Sequence, residues 1–376
     1  MGIAAEKTKR LYWLWLAESG LRGRRATLLR QYGTIEGVYR AYVLEREAAG
    51  EGLWRPGIEE LCERLGDYER KGIFFCCCEE ENYPACLKEI YSPPGGLYYQ
   101  GHLPGSADGR TSLEWEKKEK DGTDKEIGRM AVVGARACSE RGRGIARRIG
   151  RELAQGGAGV VSGLALGIDG AALAGAIEGE GRAYGVLGCG VDICYPKENY
   201  HLFGQVLERG GILSEYPPGT PPLPAYFPQR NRIISGLSDG VVVIEARKRS
   251  GSLITAEFGL EQGRNIYAVP GRPEDVLSEG CHYLIQNGAK LVTGAADILS
   301  DYEFSPGLRL DSGQVPKILL ETTEKIVYAC LRLEPKHLSQ IQQESGLEWQ
   351  EVFNILLKLE LKGCARQVSM DCYVAL

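Results

Sequence analysis

The sequence lacks the patterns that hydrolytic, nucleotide-binding and metal-dependent enzymes require. Its four histidines are scattered over 376 residues, which argues against a catalytic triad or a histidine metal site. It contains no G-x-x-x-x-G-K-[ST] phosphate loop, no G-x-S-x-G elbow, and no G-x-G-x-x-G turn after the first central strand. Asp169 and Glu245 are isolated carboxylates, which are more often structural than catalytic. We therefore expect no enzymatic activity, no cofactor and no metal.

Two further absences bear on the compartment. No run of about 18 apolar residues is present, so a membrane span is not expected. The N-terminus has no basic-then-apolar layout typical of a secretion signal. Twelve cysteines are present, but no two pairs show Cys-x-x-Cys spacing, and the consecutive residues Cys76, Cys77 and Cys78 predict a buried, reduced strand. These features predict a cytoplasmic protein.

Composition shifts divide the chain into predicted domains. Residues 1–72 carry short helical segments separated by glycines, which predicts a helical domain of the SAM or helix-hairpin-helix kind. A core is expected over residues 73–300, with an exposed, charged insertion over residues 105–128. After a linker over residues 301–316, three helices precede a β-ribbon in residues 317–376, which is the winged-helix order.

The core alternates between apolar, β-branched segments and helical ones. Strand-like segments such as "MAVVG", "GVVSG" and "GVVVIEA" lie between helices of about ten or more residues, which predicts an α/β fold with a buried, mostly parallel sheet. Ligands of such sheets bind beyond the carboxyl ends of the strands. The loops that follow the strands are therefore where a binding site is expected.

Charge is unevenly distributed along the chain. The formal net charge is −5, yet residues 129–160 hold seven arginines against Glu140 and Glu152, which gives 7 − 2 = +5. Residues 317–376 hold seven basic and eight acidic side chains, or −1. Because a DNA-reading wing should be basic, we expect the winged-helix domain to contact protein or to regulate.

The loops after the strands offer anion recognition. Arg136 follows the first central strand, Ser162 and Gly163 end the second, and Asp169 is placed to cap the next helix. Small residues in "RSGSLIT" expose backbone N–H groups at a helix start, where the helix dipole also favours anions. Ser-Gly-Ser alone is often only a cap, and the arginine-rich helix 141–151 is often only a solvated face. Together they favour a groove that binds a polyanion.

The central motifs resemble those of a known family. "VVSGLALGIDGAA", "VLGCGVDICYPKEN", "ILSEYPPG", "FPQRNRIISGLS", "VVVIEARKRSGSLITAEFGLEQGR", "YAVPG" and "LIQNGAKLV" run in this order over residues 130–295. The series is similar to that of the DNA-processing protein A family (DprA/Smf). The resemblance implies an extended Rossmann-like core that binds single-stranded DNA and forms a homodimer. It also implies that the protein protects incoming strands in natural transformation and loads the recombinase RecA, and that it is not an enzyme.

The resemblance also implies DNA-binding residues. Those carried over by motif are Arg136, Lys197, Phe227 as a base-stacking ring, Arg230, Asn231, Arg232, Ser250, Gly251, Ser252 and Thr255, beside Ser162 and Gly163 from the loop pattern.

This sequence departs from the family pattern at several positions. Leu166 replaces an arginine, Leu173 replaces a histidine, and His282 replaces an asparagine. Pro224 stands where some members have lysine, and Arg141 stands where tyrosine is usual. Arg141 and its neighbour Arg143 restore basic charge close to the expected groove.

The stretch "YFPQRNRIISGLSDG" leaves one question open. If it is extended, Arg230 and Arg232 share a face; if it is helical, they diverge by about 200° and one braces the fold or the dimer. Two other functions also remain open. One is a phosphoribohydrolase-like enzyme that cleaves nucleoside phosphates, with Glu257 of "SGSLITAE" as its acid. The other is a scaffold for a protein partner that has no nucleic-acid role.

Overall fold

The computed structural model describes residues 2–44, 55–105, 128–302, 322–332, 335–362 and 364–375. The chain divides into two units, Met1–Leu308 and Arg309–Leu376. The predicted insertion, apart from its two end residues, and most of the predicted linker lie outside the described residues, and the other predicted domain limits stay predictions. Among the described helices, none has both the length and the apolar character to cross a membrane.

Helices at the start of the chain pack against one face of the central sheet. They are α1 Gly2–Glu18, α2 Arg25–Tyr32, α3 Ile35–Tyr39 and α4 Ile58–Arg70. Glu18 of α1 is central to this packing, because its carboxylate accepts hydrogen bonds from the hydroxyls of Tyr68 (2.8 Å) and Tyr98 (3.2 Å). Since Tyr98 belongs to the sheet, the bond joins the helical segment to the core.

Within the described residues, the first unit contains a nine-stranded sheet. Its strands are β1 Phe74–Cys77, β2 Gly96–Gly101, β3 Gly128–Gly134, β4 Ala158–Ser162, β5 Ala183–Leu187, β6 Gly211–Ser214, β7 Gly240–Ile244, β8 Asn265–Ala268 and β9 Lys290–Leu291. The order is β1-β2-β6-β5-β4-β3-β7-β8-β9. Only the pairs β1/β2 and β2/β6 are antiparallel, so the predicted α/β fold with a mostly parallel sheet is confirmed.

The strand order contains one reversal that positions the site. The chain runs from β3 outward through β4, β5 and β6, then returns to place β7 on the other side of β3. The carboxyl ends of β3 and β7 therefore begin connections that leave in opposite directions. Such a topological switch point opens a crevice above the sheet.

Helices cover both faces of the sheet. They are α5 Ala85–Lys88, α6 Glu140–Gln155, α7 Ile168–Glu178, α8 Tyr200–Arg209, α9 Tyr226–Gly236, α10 Gly251–Glu261, α11 Glu279–Gln286 and α12 Ala295–Leu299. Successive strand residues enter opposite cores, as Val132 and Val133 do in β3. Cys76 and Cys77 divide in the same way and are buried free thiols in β1, as predicted, whereas Cys78 lies just after the strand.

The second unit has its own hydrophobic core. Its elements are α13 Thr322–Cys330, β10 Lys336–His337, α14 Leu338–Ser345, α15 Trp349–Leu361, β11 Ala365–Ser369 and β12 Cys372–Ala375. The strands form a small sheet in the order β10-β12-β11. Three helices followed by a β-ribbon match the winged-helix order expected from the sequence.

Candidate nucleic-acid interface

A cavity of about 530 Å³ lies at the switch point between β3 and β7. Its walls come from the loop after β3, the start of α7, the helix α9 and the loop that leads from β7 into α10. The predicted site residues that line it are Arg136, Phe227, Arg230, Asn231, Ser250, Gly251, Ser252 and Thr255. Residues separated by more than 100 positions in sequence thus meet at the carboxyl edge of the sheet.

Gly134 allows the loop carrying Arg136 to pass close to β7. A Cβ atom at Gly134 would lie 1.9 Å from the carbonyl oxygen of Ile244, a distance that no side chain tolerates. The Arg136 side chain that follows is exposed, and its guanidinium carbon lies 5.1 Å from the ring centroid of Phe227. Within the described residues, Arg136 forms no ion pair. Its charge is therefore available to an anionic ligand.

Two aromatic rings stack beside Arg136. The centroids of Tyr195 and Phe227 are 5.6 Å apart and their planes differ by 29°. Tyr195 is 40% exposed, whereas Phe227 is partly covered and packs against Gly188. Tyr195 therefore presents the open aromatic surface, and Phe227 supports it from behind. The sequence analysis selected Phe227 and missed Tyr195, although an aromatic residue in "CYPKEN" beside Lys197 was a usable signal.

Arg230 lies beneath the cavity, where it braces the sheet edge. The side chain is 4% exposed, and Nη1 donates hydrogen bonds to the backbone carbonyls of Gly163 (2.9 Å) and Val186. Burial lowers the pKa of Arg230 to about 10, while the charge of Asp169 opposes that shift, so Arg230 stays protonated at neutral pH. Arg230 thus connects the ends of β4 and β5.

Asp169 is the buried counterpart of Arg230. Its carboxylate accepts a hydrogen bond from the backbone N–H of Gly163 at 3.1 Å, and burial raises its pKa against the opposing effects of Arg230 and that N–H group. The expectation that Asp169 caps α7 is wrong, because Gly167 occupies the cap position and Asp169 lies within the first turn. Its acceptor oxygens serve the strand end rather than the helix end.

Four predicted residues lie outside the lining of the cavity. α9 begins at Tyr226, so the helical alternative holds and Arg232 diverges from Arg230. Arg232 forms an ion pair with Glu215 at 2.7 Å, in which both side chains are largely buried. This placement corrects the expectation that Arg232 faces the groove, since its charge is already neutralised.

Ser162 and Gly163 also act below the surface. The Ser162 side chain is fully buried, and its hydroxyl donates to the carbonyl oxygen of Val132 at 2.6 Å. The N–H of Gly163 is bonded to Asp169, and its carbonyl to Arg230. Within the described residues, the Ser162 hydroxyl and both backbone groups of Gly163 already have partners, so these residues position the loop and do not line the cavity. Their direct contact with DNA stays a prediction. Lys197 is exposed just after the stacked Tyr195, in a 3-10 turn over Lys197–Asn199.

The start of α10 faces the cavity. Ser250 caps the helix and its Oγ lies 2.8 Å from that of Ser252, while Ser252 and Thr255 are buried beneath the turn. Nothing lies within 4 Å of a Cβ built at Gly251, so the helix start is open on that side, while the Ser252 N–H donates to the Ser250 hydroxyl at 3.4 Å. The amide of Asn231 donates to the Gly251 carbonyl at 3.2 Å, which fixes α9 against α10.

Arg247 and Arg249 were missed by the sequence analysis. Both are exposed and line the cavity, and neither forms an ion pair with any residue that the structure describes. The run "ARKRSGS" was a signal, because three consecutive basic residues directly precede the helix cap. By contrast, Glu257 is exposed on α10 and does not line the cavity, so nothing in its placement favours a role as a catalytic acid.

The arginine-rich helix α6 is largely a solvated face, as one sequence interpretation held. Arg143 pairs with Glu140 (3.4 Å), Arg147 with Glu178, and Arg148 with Glu152 (3.9 Å). Glu140 and Glu152 are already included in the balance of +5, so Glu178 alone lowers that excess, to +4, and Arg141 forms no ion pair within the described residues.

Comparison with known proteins agrees with this architecture. Residues 121–303 match the family model "DNA recombination-mediator protein A", and residues 314–369 match the "DprA winged helix domain". The chain is 44% identical to DNA processing protein DprA of Streptococcus pneumoniae, over 60% of this chain and 73% of that protein. It is 33% identical to Protein Smf of Synechocystis, over 94% of this chain and 96% of that protein.

Solved structures extend the likeness to the fold. The structure of S. pneumoniae DprA covers 66% of this chain and 82% of that chain, with a TM-score of 0.54 and 39% identity. A second solved structure is that of DNA processing protein A from Helicobacter pylori, which was studied for its single-stranded DNA binding mode. The match covers 61% of this chain and 97% of that chain, with a TM-score of 0.50 and 26% identity. The fold, the two family models and these relatives agree: the chain belongs to the DNA recombination-mediator protein A (DprA/Smf) family.

Proposed function

We propose that this protein binds single-stranded DNA in the 530 Å³ cavity at the β3/β7 switch point. The observation that carries the proposal is the set of exposed guanidinium groups without ion-pair partners among the described residues, Arg136, Arg247 and Arg249, around the open N-terminus of α10 and a stacked aromatic pair. Proteins that bind single strands without reading sequence combine backbone-tracking cations with rings on which bases stack. Each of these elements is present on one cavity.

The residues divide into contact and support roles. Arg136, Arg247, Arg249 and Lys197 contact phosphates, together with the N–H group of Gly251. Tyr195 stacks a base, with Phe227 behind it. Arg230 holds the cavity floor, so its substitution acts through the fold as well as through any contact with DNA. Residues that hold these groups in place are Ser162, Gly163, Asn231, Arg232, Ser250 and Thr255.

A salt-titrated binding experiment tests the proposal. Single-stranded and duplex oligonucleotides are titrated with the full chain at several salt concentrations, and the expected result is tighter binding of the single strand. The logarithm of affinity should fall by about 0.7 per phosphate contact for each log unit of salt. Equal affinity for single strands and duplexes would contradict the proposal, as would release of free base when the protein is incubated with nucleoside monophosphates.

Arg136→Ala is the sharpest variant for this site. Arg136 is exposed and forms no side-chain hydrogen bond with the part of the chain that the structure describes. Its loss should therefore weaken single-strand affinity by about 1–3 kcal/mol, typical of a charge-assisted hydrogen bond, and leave stability unchanged. Arg30→Ala, an exposed arginine on α2, is the matched control. If Arg136→Ala binds single strands with wild-type affinity, the DNA does not bind in this cavity.

We further propose that the bound strand is protected and passed to RecA in transformation and recombination, and that the protein acts as a homodimer in the cytoplasm without enzymatic activity. Family membership supports this proposal. RecA ATPase activity on single strands covered by a single-strand-binding protein should start earlier when this protein is added. Light scattering coupled to size exclusion should give twice the chain mass. An unchanged lag phase argues against RecA loading, and a monomer mass argues against the dimer.

A further inference from the structure

A second cavity, of about 300 Å³, lies at the carboxyl ends of β7 and β8. Ile145, Ile244, Val269 and Pro270 form an apolar wall. Its polar lining consists of Ser139, Arg141, Glu245, Arg272, Asp275 and Ser278. The combination of an apolar wall with two arginines suits a ligand that has both a flat apolar part and an anionic part.

The two carboxylates of this cavity already have hydrogen-bond partners. The Glu245 carboxylate accepts from the backbone N–H of Ser139 at 2.8 Å and from the Ser139 hydroxyl. The Asp275 carboxylate accepts from the Leu277 N–H at 2.9 Å and from the Ser278 hydroxyl at 3.4 Å. The oxygens of Glu245 are therefore held by the loop after β3, and those of Asp275 by its own loop.

The two cations have no such partners. Arg141 and Arg272 are both exposed, and neither forms an ion pair or a side-chain hydrogen bond within the described residues. Glu245 and Asp275 balance the formal charge of the lining, but hydrogen bonds hold their oxygens, whereas the two guanidinium groups are exposed. The charged groups that are open to a ligand are therefore the cationic ones, which favours an anionic ligand.

A narrow ridge separates this cavity from the first. Ala137 lines the first cavity and Ser139 the second, and in the same way Arg247 lines the first and Glu245 the second. Each pair is two residues apart, so the ridge spans at most about 7 Å of extended chain. One nucleotide unit of a single strand can cross it.

The ridge is held in a strained conformation. Glu245 has a φ of 53°, in the left-handed region that residues with a Cβ rarely adopt. The Ala135 N–H donates to the Glu245 carbonyl at 2.7 Å and fixes this turn to the loop after β3. The turn directs the Glu245 side chain into the second cavity, while Arg247, two residues later, lines the first.

We propose that the second cavity is a further subsite for the same DNA strand, in which Arg141 and Arg272 bind consecutive phosphates and the apolar wall receives a base. The inference rests on the proposed function of the first cavity and lengthens its binding track. It assigns a role to Arg141, which departs from the family pattern, and to Arg272, which no motif identified.

Fluorescence anisotropy tests the subsite with two oligothymidylates, one of about 4 and one of about 20 nucleotides. These lengths correspond to a short and a long binding site for a single strand. The variant is the double substitution Arg141→Ala with Arg272→Ala in the full chain. On the long oligonucleotide, its salt slope should fall by about 1.4, since each lost phosphate contact removes about 0.7. On the short one, which the first cavity alone accommodates, affinity should stay close to wild type.

Two controls separate the possible failures. The double variant with lysine at both positions keeps the charges and should retain the wild-type slope, and Arg30→Ala should behave as wild type. If Arg136→Ala weakens binding while the double alanine variant keeps the wild-type slope on the long oligonucleotide, the subsite is wrong and the first cavity stands. If the wild-type chain binds no single strand, the proposed function itself fails.

Discussion

Arg136 and Arg230 line the same cavity, but they differ in burial and therefore in role. Arg136 is exposed and stands over an aromatic ring, whereas the guanidinium of Arg230 is buried on backbone carbonyls with Asp169 nearby. An exposed arginine exchanges water for phosphate at little cost to the fold. A buried one is part of the fold, because removal of its partner leaves a charge in a medium that solvates it poorly.

Asp169→Asn tests this role of Arg230. It removes the carboxylate charge nearest to a buried guanidinium and should lower the free energy of unfolding by about 1–3 kcal/mol, the range for a buried polar group that loses compensation. Urea unfolding followed by circular dichroism measures the change. The comparison is Glu178→Gln in the exposed pair with Arg147, where the expected loss is under about 1 kcal/mol. Equal effects of the two variants would contradict the assignment.

Tyr195 provides the second test at the scale of single residues. Its 40% exposed ring stacks on Phe227 and is the open surface for a base. Tyr195→Ala should weaken single-strand affinity by about 1–3 kcal/mol, the usual effect of losing one stacked base. Tyr195→Phe keeps the ring and should bind as wild type. An alanine variant with unchanged affinity in anisotropy titrations would show that Tyr195 stacks no base.

At the scale of elements, glycines set how closely α6 and α7 approach. A Cβ at Gly150 would lie 2.1 Å from the Ala172 carbonyl oxygen, and one at Gly175 would lie 1.9 Å from that of Arg147. Backbone atoms cannot move aside as the end of a flexible side chain can. The helices cross through their glycines, and this crossing supports β3 and β4 below the cavity.

Gly175→Ala should therefore separate the two helices. We expect a loss of about 1–3 kcal/mol in the free energy of unfolding, typical of overpacking. Gly144→Ala in α6 is the matched control, since nothing lies within 4 Å of its Cβ position and alanine stabilises an exposed helix site by about 0.5–1 kcal/mol. The two substitutions should shift the urea midpoint in opposite directions. A shift of the same sign in both would rule out the close crossing as the cause.

At the scale of the whole molecule, the cavities and the winged-helix elements belong to separate units. All residues that line both cavities fall within Met1–Leu308, whereas the core of the other unit starts after that boundary. Residues 317–376 carry seven basic and eight acidic side chains, a balance of −1 that gives little attraction for phosphates. Single-strand binding is therefore expected to reside in the first unit.

Truncation after Leu308 tests that division. The shortened chain should keep single-strand affinity within about twofold of the full chain, because it retains every residue that lines the two cavities. Residues 309–376 alone should show no measurable single-strand binding at physiological salt. A loss of more than about tenfold on truncation, roughly 1.4 kcal/mol, would mean that the winged-helix unit contributes to the interface.

The local sequence pattern was sufficient to predict the strands and helices of the core and the edge of the sheet at which the cavities lie. The alternation of apolar strands with helices predicted β3 to β9. For β3 to β8 the reason is that burial on both faces of the sheet demands continuous apolar runs, whereas β9 is two exposed residues at the sheet edge. The alternation also located Arg136 and the α10 cap, because each directly follows a strand end in the chain. The local pattern did not predict where α9 begins. The helix starts at Tyr226, four residues before the predicted "RNRIISGLSD" helix.

The sequence by itself determined the family, the sheet and the set of loops that surround the site. Tertiary structure decided which side chains face the ligand. Arg230 meets the carbonyls of Gly163 and Val186, 67 and 44 residues away, and Arg232 meets Glu215 from the end of β6. Arg247 and Arg249 join the cavity only because β7 returns beside β3. Burial and ion pairing depend on contacts between distant segments, and no local pattern encodes them.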